Sequence, residues 1–273
     1  MGGFLLNKKN LIIFTDLDGS LLNHSDYSYK DAIPALKKIK EKNIPLIITT
    51  SKTRAEVEEL LKELSLNEPF IIENGAAIFF PENYRDFYIR GEKVDKYTVV
   101  KIGKDYRYIR EIFKNLKKDY PIKGFGDMSV EEISYLTGLS LEEANLAKQR
   151  EFSEPFIIED ESLIPQIEKK VSNFGLKITK GGRFYHLIGK EQDKGKAVSK
   201  VKEIFKTNSW KNIKTVGIGD SKNDIPMLKM VDIPVLIMKE DGSYEDIFLP
   251  NLIKSKFSGS KGWNQTVLNL ISE

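Results

Sequence analysis

The chain has 273 residues, 30% of them charged and 40% hydrophobic, and its 43 basic and 40 acidic side chains leave a net charge of +3. This length is enough for one large domain or two modest ones, and the near balance of charge gives no broad field that would attract nucleic acid. There is no cysteine, which excludes disulfides and cysteine-based zinc sites, and the only two histidines, His24 and His186, are interpreted as ordinary loop or strand residues.

The N-terminal sequence MGGFLLNKKN contains too short an apolar stretch for a signal peptide. No later segment approaches the ~18 consecutive apolar residues that span a bilayer. Motifs typical of RNA- or DNA-binding modules are also missing from the sequence. We therefore expect a cytoplasmic protein that binds neither nucleic acid nor membrane, and the sequence leaves its oligomeric state open.

The first third of the chain alternates apolar strands with amphipathic helices. Residues 11–16 (LIIFTD) and 44–50 (IPLIITT) are apolar runs typical of strands that are buried on both faces. Helical spacing is present at residues 29–42 and from Thr53 to Leu64, and a third short strand is predicted at 69–72. This alternation, with short turns, predicts a parallel sheet built from βαβ units.

From about Ala76 strands and helices no longer alternate, and the sequence predicts an inserted α+β module. Strands without intervening helices are predicted at 76–80, 86–90 and 96–100. Helical patterns follow near 105–118, 129–137 and 140–149. The module is completed by a strand at 156–158, a helix near 162–173 and a hairpin of 176–180 and 183–187 that turns at Gly181-Gly182.

After this module the chain again alternates predicted helices and strands. Helices are predicted at 193–206 and 223–231, and strands at 215–219 and 232–238. We therefore predict an α/β protein in which a parallel-sheet domain is discontinuous and a second domain is inserted into it. The predicted boundaries are 1–76 and 190–273 for the parallel-sheet domain and 77–189 for the inserted α+β domain.

Two aspartates follow the first strand directly, in the sequence LIIFTDLDGSLL (11–22). Asp16 and Asp18 thus come to the carboxyl end of a parallel strand, where α/β sheets bind ligands. An isolated pair of carboxylates in that place would have raised pKa values and lose charge. A divalent cation would offset the repulsion between the two carboxylates, and Mg²⁺ prefers oxygen ligands of this kind. Gly19 allows a tight backbone turn beside such an ion.

Further polar groups follow other predicted strands and one helix start. The sequence TVGIGDSKND (215–224) places Asp220, Asn223 and Asp224 after a second buried strand, as one cation site would need. Lys194 begins a helix, where its ammonium group can face a phosphate.

The second strand ends in ITTSKT (48–53), which offers several hydroxyl groups. These hydroxyls also fit helix capping, with Ser51 or Thr53 as the N-cap and Glu56 completing a capping box. Each of these signals is weak alone, but the ordered set is specific: strand–DxDGS, strand–TTSK, lysine, strand–GDSxND.

This ordered set resembles the four motifs of the haloacid dehalogenase (HAD) superfamily of phosphatases. The motifs are DLDGS (16–20), Thr50 in TTSK, Lys194 in DKGK and GDSKND (219–224). The insertion is similar to the class IIB cap of the Cof-type branch, and the resemblance therefore implies a Rossmann-like parallel-sheet core with an inserted α+β cap domain. Within that branch, four segments resemble the mannosyl-3-phosphoglycerate phosphatase family: SKTRAE (51–56), ENG (73–75), REFSEPF (150–156) and GGRFYHL (181–187).

The resemblance implies a Mg²⁺-dependent phosphatase that hydrolyses mannosyl-3-phosphoglycerate through an aspartyl-phosphate. Asp16 would be the nucleophile and Asp18 the general acid and base. Thr50 would bind a phosphoryl oxygen and Lys194 would neutralise the phosphoryl charge. The implied Mg²⁺ ligands are Asp16, Asp220 and the backbone carbonyl of Asp18, supported by Asn223 and Asp224.

The same resemblance implies which residues contact the rest of the substrate. Arg150 and Arg183 would bind its carboxylate from the cap, although local sequence alone favours a surface ion pair for each. The other implied substrate-binding residues are Ser51, Lys52, Thr53, Arg54, Glu73, Asn74 and Ser153, with Glu154 a further candidate for sugar hydroxyls. The segment 73–75 also fits a simple strand-ending turn.

Several functional alternatives stay open at the level of sequence. Mannosyl and glucosyl substrates differ in the orientation of one hydroxyl, so a glucosyl-3-phosphoglycerate or other sugar-phosphate phosphatase is an alternative. A phosphomutase or a non-catalytic phospho-ligand-binding protein would share the fold, but intact Asp16 and Asp18 argue against a mere binder. The family's product, mannosylglycerate, is a compatible solute, and the abundance of Lys, Glu and Ile would suit a thermophile.

Overall fold

The structure, a computed structural model, describes residues 10–181 and 183–271. The prediction about a signal peptide in MGGFLLNKKN falls on residues that are almost all outside this range, and so does Gly182 of the predicted Gly181-Gly182 turn. Within the two described ranges, every helix is too short or too polar to cross a lipid bilayer.

Strands and helices alternate along the described chain. The strands are β1 (Leu11–Thr15), β2 (Leu46–Thr49), β3 (Phe70–Ile72), β4 (Ala77–Pro81), β5 (Glu92–Val94), β6 (Tyr97–Lys101), β7 (Ile122–Gly124), β8 (Ser153–Ile158), β9 (Leu176–Gly181), β10 (Phe184–Gly189), β11 (Lys214–Gly219), β12 (Ile233–Met238) and β13 (Ile253–Ser258). The helices are α1 (Ile33–Glu41), α2 (Arg54–Glu63), α3 (Tyr106–Leu116), α4 (Val130–Thr137), α5 (Leu141–Ala147), α6 (Ile164–Ser172), α7 (Lys194–Thr207), α8 (Ile225–Lys229) and α9 (Gly259–Ile271).

Nine of these strands form one large sheet in the order β13-β12-β11-β1-β2-β3-β4-β6-β5. The strands from β13 to β3 run parallel, and β4, β6 and β5 add an antiparallel edge. Every residue of β1 is buried, as its continuous apolar sequence predicts. Because β2, β1 and β11 are adjacent and parallel, the residues that follow them meet at one edge of the sheet.

The predicted α/β class with a parallel sheet is confirmed, but residues 77–101 differ from expectation. The sequence predicts that they belong to the inserted domain, whereas β4, β5 and β6 extend the large sheet. They do so because β4 pairs antiparallel with β3 across the turn at 73–76. The division into domains stays a prediction, and on this pairing we propose its first boundary near residue 102.

The other four strands form a separate antiparallel sheet in the order β7-β8-β10-β9. One face of this sheet packs against α3 and α6, where Leu187 is buried. The other face packs against α4 and α5, where Phe184 is in contact with the buried residues. Because side chains alternate along a strand, His186 lies on the same face as Phe184, away from Leu187.

Some elements were predicted wrongly or missed. A strand at 86–90 is wrong: Tyr84–Asp86 forms a 3₁₀ turn, and Phe87 and Ile89 pack on a buried cluster without strand pairing. β5, β7, β13 and α9 were not predicted. The sequence of α9 begins with glycine and has low helix propensity, but Trp263 within it is fully buried and its Nε1 donates a 2.9 Å hydrogen bond to Thr15 Oγ1.

Candidate active site

Three charged side chains from distant parts of the sequence meet at the carboxyl edge of the large sheet. Lys194 Nζ lies 2.7 Å from Asp16 Oδ1 and 2.6 Å from Asp224 Oδ1. Asp16 follows β1, Asp224 follows β11, and Lys194 is the first residue of α7. Burial lowers the pKa of Lys194, but the two carboxylates outweigh burial and raise it above the usual value, so the side chain is cationic.

Asp16, Asp220 and Asp224 form an acidic cluster in which one carboxylate oxygen of each lies within 4.8 Å of the others. Asp224 Oδ2 accepts hydrogen bonds from the backbone N–H groups of Asp220 and Ser221, at 3.0 and 3.1 Å. Burial, then the charges of Asp224 and Asp16, raise the pKa of Asp220 to about 9. Burial and Asp224 likewise raise the pKa of Asp16 to about 7, against the opposing charge of Lys194.

This cluster fits a hard divalent cation. Asp220 Oδ1 is buried and has no hydrogen-bond partner among the described residues. The backbone at Gly19 approaches Asp220 so closely that a β-carbon there would lie 2.6 Å from Asp220 Oδ2. Carboxylate oxygens are the ligands that Mg²⁺ prefers, and a bound cation would relieve the repulsion that raises the pKa values of Asp16 and Asp220.

Asp18 has a different environment from Asp16. The side chain of Asp18 is 32% exposed, and its Oδ1 lies 3.3 Å from Lys52 Nζ. Lys52 Nζ also lies 3.3 Å from Glu56 Oε1, and 5.1 Å from the centre of the Tyr27 ring. Asp16, in contrast, is 8% exposed and bound to Lys194. The two carboxylates therefore suit different chemical roles, because Asp16 is held by Lys194 and Asp18 is accessible to solvent.

Thr50 is buried and directly follows the last residue of β2. Its backbone carbonyl accepts a hydrogen bond from Asn74 N at 2.9 Å, and its Oγ1 accepts one from Lys52 N at 3.2 Å. Because Oγ1 is an acceptor in that contact, the hydroxyl proton can be donated to a ligand. Asn223 Nδ2 donates to Asn74 Oδ1 at 3.0 Å and so links the ends of β3 and β11.

A cavity of about 150 Å³ lies between this edge of the large sheet and the antiparallel sheet. Of the residues implied by the sequence, Asp16, Asp18, Ser51, Lys52, Arg150, Arg183, Asp220 and Asn223 line it. Phe125, Pro155 and Phe184 supply apolar walls. Ligand sites for small molecules usually measure about 300–1,000 Å³, so this cavity is smaller than a usual ligand site.

Thr53 and Arg54, which the resemblance implied as substrate-binding residues, are not among the residues that line the cavity, and both contact other protein groups. Thr53 is the N-cap of α2 and forms a capping box with Glu56, which confirms the helix-capping alternative. The Thr53 hydroxyl is also 3.0 Å from the carbonyl oxygen of Leu146. Arg54 pairs with Asp95 at 2.9 Å and Glu151 at 3.2 Å.

Glu73, Ser153 and Glu154 also make contacts within the protein rather than facing the cavity. Glu73 is fully buried and accepts hydrogen bonds from Glu151 N, Phe152 N and Ser153 Oγ at 2.8, 3.1 and 2.5 Å. Burial raises the pKa of Glu73 to about 6 despite these donors and the charge of Arg150. These contacts fasten the segment before β8 to the turn after β3.

Glu154 is likewise fully buried, and its carboxylate accepts hydrogen bonds from Tyr106 Oη at 2.6 Å and Gly126 N at 2.8 Å. Asn74 is also buried, in a left-handed turn with φ 59°, and it contacts Asn223 rather than the cavity. Buried polar groups usually have partners, and Glu154 finds them within the protein. Asn74 Nδ2, in contrast, is buried and has no hydrogen-bond partner among the described residues.

Arg150 and Arg183 do line the cavity, but several of their donors are already used. Arg150 Nη1 donates to Ser51 O and its Nε to Ala147 O, both at 2.8 Å. Arg183 is exposed, and its Nη1 donates to Leu136 O at 3.1 Å.

Sequence reasoning missed His186, Tyr27 and Glu56 as lining residues. For His186 a signal was present, because alternation in RFYHL places it opposite Tyr185 and Leu187, which pack against α3 and α6. The interpretation of His186 as an ordinary strand residue is therefore incomplete.

Comparisons with known proteins agree with this geometry. The sequence profile described as haloacid dehalogenase-like hydrolase matches residues 13–240. A glucosyl-3-phosphoglycerate/mannosyl-3-phosphoglycerate phosphatase of Persephonella marina is 57% identical over 263 residues, which cover 96% of this chain and 98% of the relative. A mannosyl-3-phosphoglycerate phosphatase of Pyrococcus furiosus is 37% identical over 227 residues, which cover 83% of this chain and 90% of the relative.

Solved structures with low sequence identity share the fold. A protein of Thermoplasma acidophilum superposes with a TM-score of 0.68 at 18% identity, covering 96% of this chain and 98% of the other. The sucrose-phosphatase of Synechocystis, solved with sucrose and phosphate, gives a TM-score of 0.64 at 14% identity with the same coverage. At such identities the likeness concerns the fold alone.

Proposed function

This chain belongs to the haloacid dehalogenase-like hydrolases, and from that premise we propose that it is a Mg²⁺-dependent phosphatase of glycosylated 3-phosphoglycerates. The relative from Persephonella marina is named for both the glucosyl and the mannosyl substrate. We therefore propose both substrates, with mannosylglycerate or glucosylglycerate and inorganic phosphate as the products. The observation that carries the proposal is the contact of Lys194 with Asp16 at 2.7 Å and with Asp224 at 2.6 Å, beside Asp220.

Asp16 is the nucleophile in this proposal. Its Oδ1 is held by Lys194, which leaves Oδ2 to attack the phosphorus atom in line with the bond to the glycerate oxygen. A bond forms between Oδ2 and phosphorus, and the bond between phosphorus and the glycerate oxygen breaks. Lys194 and the Thr50 hydroxyl face the negative charge of the transferring group.

Asp18 is the general acid and the general base in this proposal. It gives a proton to the departing glycerate oxygen and afterwards takes one from the water that attacks the aspartyl-phosphate. That attack breaks the bond between phosphorus and Asp16 and releases phosphate. The greater exposure of Asp18, 32% against 8% for Asp16, suits a group that exchanges protons with substrate and water.

The Mg²⁺ ligands in this proposal are the carboxylates of Asp16 and Asp220 and the backbone carbonyl of Asp18. When bound, the ion supplies positive charge that keeps Asp16 ionised and offsets the charge of the phosphoryl group. Asp224 supports the site from outside, because it holds Lys194 and the backbone at 220–221. Asn223 supports it through Asn74.

The decisive experiment compares Asp16→Asn with a matched control, Asp31→Asn. Asp31 is an exposed aspartate on the 3₁₀ turn before α1, so it tests the loss of one carboxylate elsewhere. We expect Asp16→Asn to fold and to release phosphate at least about a thousandfold more slowly, because the nucleophile is lost. Activity close to wild type in Asp16→Asn would refute the mechanism.

Substrate choice is tested by phosphate release from mannosyl- and glucosyl-3-phosphoglycerate beside plain hexose 6-phosphates. We expect the two phosphoglycerates to be hydrolysed with much higher kcat/KM. If hexose 6-phosphates are preferred, the substrate assignment fails and the phosphatase assignment stands. A phosphomutase would instead release little phosphate unless a phosphosugar acceptor is present.

A further inference from the structure

His186 is a buried polar residue with an unsatisfied nitrogen in the wall of the cavity. It is 5% exposed and lies on β10, paired with Pro155 of β8 and Thr179 of β9. Its Nδ1 is buried and makes no hydrogen bond to any described residue. Buried polar groups without a partner are rare in folded proteins. The His186 residue is among those that line the cavity, so its imidazole is available to a ligand there.

The surroundings of His186 determine its charge. Burial, together with the nearby charges of Arg150 and Lys194, lowers the pKa of His186 to about 3. The imidazole is therefore neutral near neutral pH, and it offers one N–H donor and one acceptor nitrogen. His186 and Arg150 both line the cavity, together with Asp16 and Lys52.

Part of the guanidinium group of Arg150 is used by contacts within the protein. Nε and Nη1 of Arg150 donate to the backbone carbonyls of Ala147 and Ser51, and its Nη2 lies 4.0 Å from Glu56 Oε2. Arg150 therefore supplies positive charge to the cavity, although two of its N–H groups are already used by backbone carbonyls. His186 supplies an N–H group that is not used by the protein.

The proposed substrate carries a second anionic group close to its phosphate. In a glycosylated 3-phosphoglycerate the carboxylate and the phosphate-bearing carbon are separated by one carbon atom, so both anions must bind close together. We propose that His186 determines substrate specificity by donating an N–H hydrogen bond to the carboxylate of the 3-phosphoglycerate moiety, next to the positive charge of Arg150. This inference rests on the proposed function and adds a residue to it.

The test uses two substrates that differ only in the carboxylate. One is glucosyl-3-phosphoglycerate and the other is 2-O-glucosylglycerol 3-phosphate, in which a hydroxymethyl group replaces the carboxylate. The variants are His186→Leu, which has no donor, and His186→Asn and His186→Gln, whose amides place a donor near the positions of Nδ1 and Nε2. Tyr185→Phe is the matched control, because Tyr185 is the adjacent residue and its hydroxyl donates to Glu161 at 2.7 Å on the other face of the sheet.

The expected result is selective for the carboxylate substrate. In His186→Leu, KM for glucosyl-3-phosphoglycerate rises by about ten- to a hundredfold, whereas KM for 2-O-glucosylglycerol 3-phosphate changes by less than about threefold. At least one of His186→Asn and His186→Gln keeps most of the preference for the carboxylate substrate. Tyr185→Phe keeps wild-type values for both substrates.

Other outcomes overturn the role of His186. These are an equal rise in KM for both substrates, an unchanged preference in His186→Leu, or an equal loss in all three variants. If His186→Leu does not fold, a preference lost equally in His186→Asn and His186→Gln overturns the proposal, and a preference kept in one of them supports it. Failure of the proposed function is recognised separately, because then the wild-type protein does not hydrolyse glucosyl-3-phosphoglycerate.

Discussion

Arg150 Nη1 donates a 2.8 Å hydrogen bond to the backbone carbonyl oxygen of Ser51. Arg150 follows α5 in the region of the antiparallel sheet, and Ser51 follows β2 of the large sheet, so this bond joins the two walls of the cavity. The cavity of about 150 Å³ is smaller than usual ligand sites, and this bond helps to hold its two walls in place.

We predict that Arg150→Lys weakens substrate binding more than it slows chemistry. Lysine keeps the positive charge but cannot donate to the carbonyls of Ser51 and Ala147 at the same time. We expect KM for mannosyl-3-phosphoglycerate to rise about tenfold, with a smaller change in kcat. The matched control is Arg107→Lys, at an exposed position of α3, and equal KM values in both variants would contradict the prediction.

A second prediction concerns the approach of Gly19 to Asp220. Gly19 has φ +77°, and a β-carbon on it would lie 2.6 Å from Asp220 Oδ2. Gly242 has a similar φ of +83°, but a β-carbon there would have no atom within 4 Å among the described residues. Gly19→Ala and Gly242→Ala therefore carry the same backbone strain of about 1–2 kcal/mol, and only the first displaces Asp220.

We expect Gly19→Ala to lower kcat/KM by at least about a hundredfold and to weaken the dependence of activity on Mg²⁺. Gly242→Ala should keep wild-type activity with a modest loss of thermal stability. Titration of both variants with Mg²⁺, followed by phosphate release, measures the difference. Similar activity in the two variants would show that the approach of Gly19 to Asp220 does not matter.

A third prediction follows from the raised pKa values in the acidic cluster. Asp16 and Asp220 have pKa values of about 7 and about 9, above the ordinary value of 3.8, so the folded state binds more protons than the unfolded state. Their contribution to stability is complete below the ordinary value and is lost as the pH rises through 7 and 9. Without divalent cations, the melting temperature should therefore fall between about pH 5 and pH 9.

Mg²⁺ should raise the melting temperature more at about pH 9 than at about pH 5, because it relieves repulsion only between ionised carboxylates. Asp220→Asn is the matched variant, and we expect it to reduce both the pH dependence and the stabilisation by Mg²⁺. Thermal denaturation in EDTA and in Mg²⁺ measures both effects. An equal effect of Mg²⁺ at both pH values would count against this cluster as the cation site.

A fourth prediction separates structural from substrate-binding roles for Glu73 and Ser153. Glu73→Ala leaves the buried donors Glu151 N, Phe152 N and Ser153 Oγ without their acceptor. We expect a loss of about 3 kcal/mol or more in the free energy of unfolding for Glu73→Ala, and about 1 kcal/mol for Ser153→Ala.

Urea denaturation measures these losses, and steady-state kinetics of Ser153→Ala provides the comparison. In Ser153→Ala we expect KM to stay within about twofold of wild type, since the hydroxyl faces Glu73 and not the cavity. A large rise in KM with an unchanged free energy of unfolding would restore the substrate-binding role that the sequence suggested for Ser153.

Apolar periodicity predicted much of the element order because burial and hydrogen bonding select the same residues in parallel strands. The strands β1, β2 and β11 lie within two residues of their predicted limits. The same pattern failed at 86–90, where Phe87 and Ile89 are packed against a core without strand pairing. An apolar pattern indicates that residues are buried, and it does not show whether their backbone is paired.

The sequence by itself determined which polar residues meet at the carboxyl edge of the large sheet. Asp16, Thr50 and Asp220 each follow a buried apolar strand, and parallel neighbours must deliver such residues to the same edge. Only the tertiary structure decided which other polar side chains face the cavity. Glu73 and Ser153 are 80 residues apart, yet each satisfies the other, whereas His186 has an unsatisfied nitrogen in the cavity wall. The reason is physical: the partners of a buried polar group come from segments that only folding brings together.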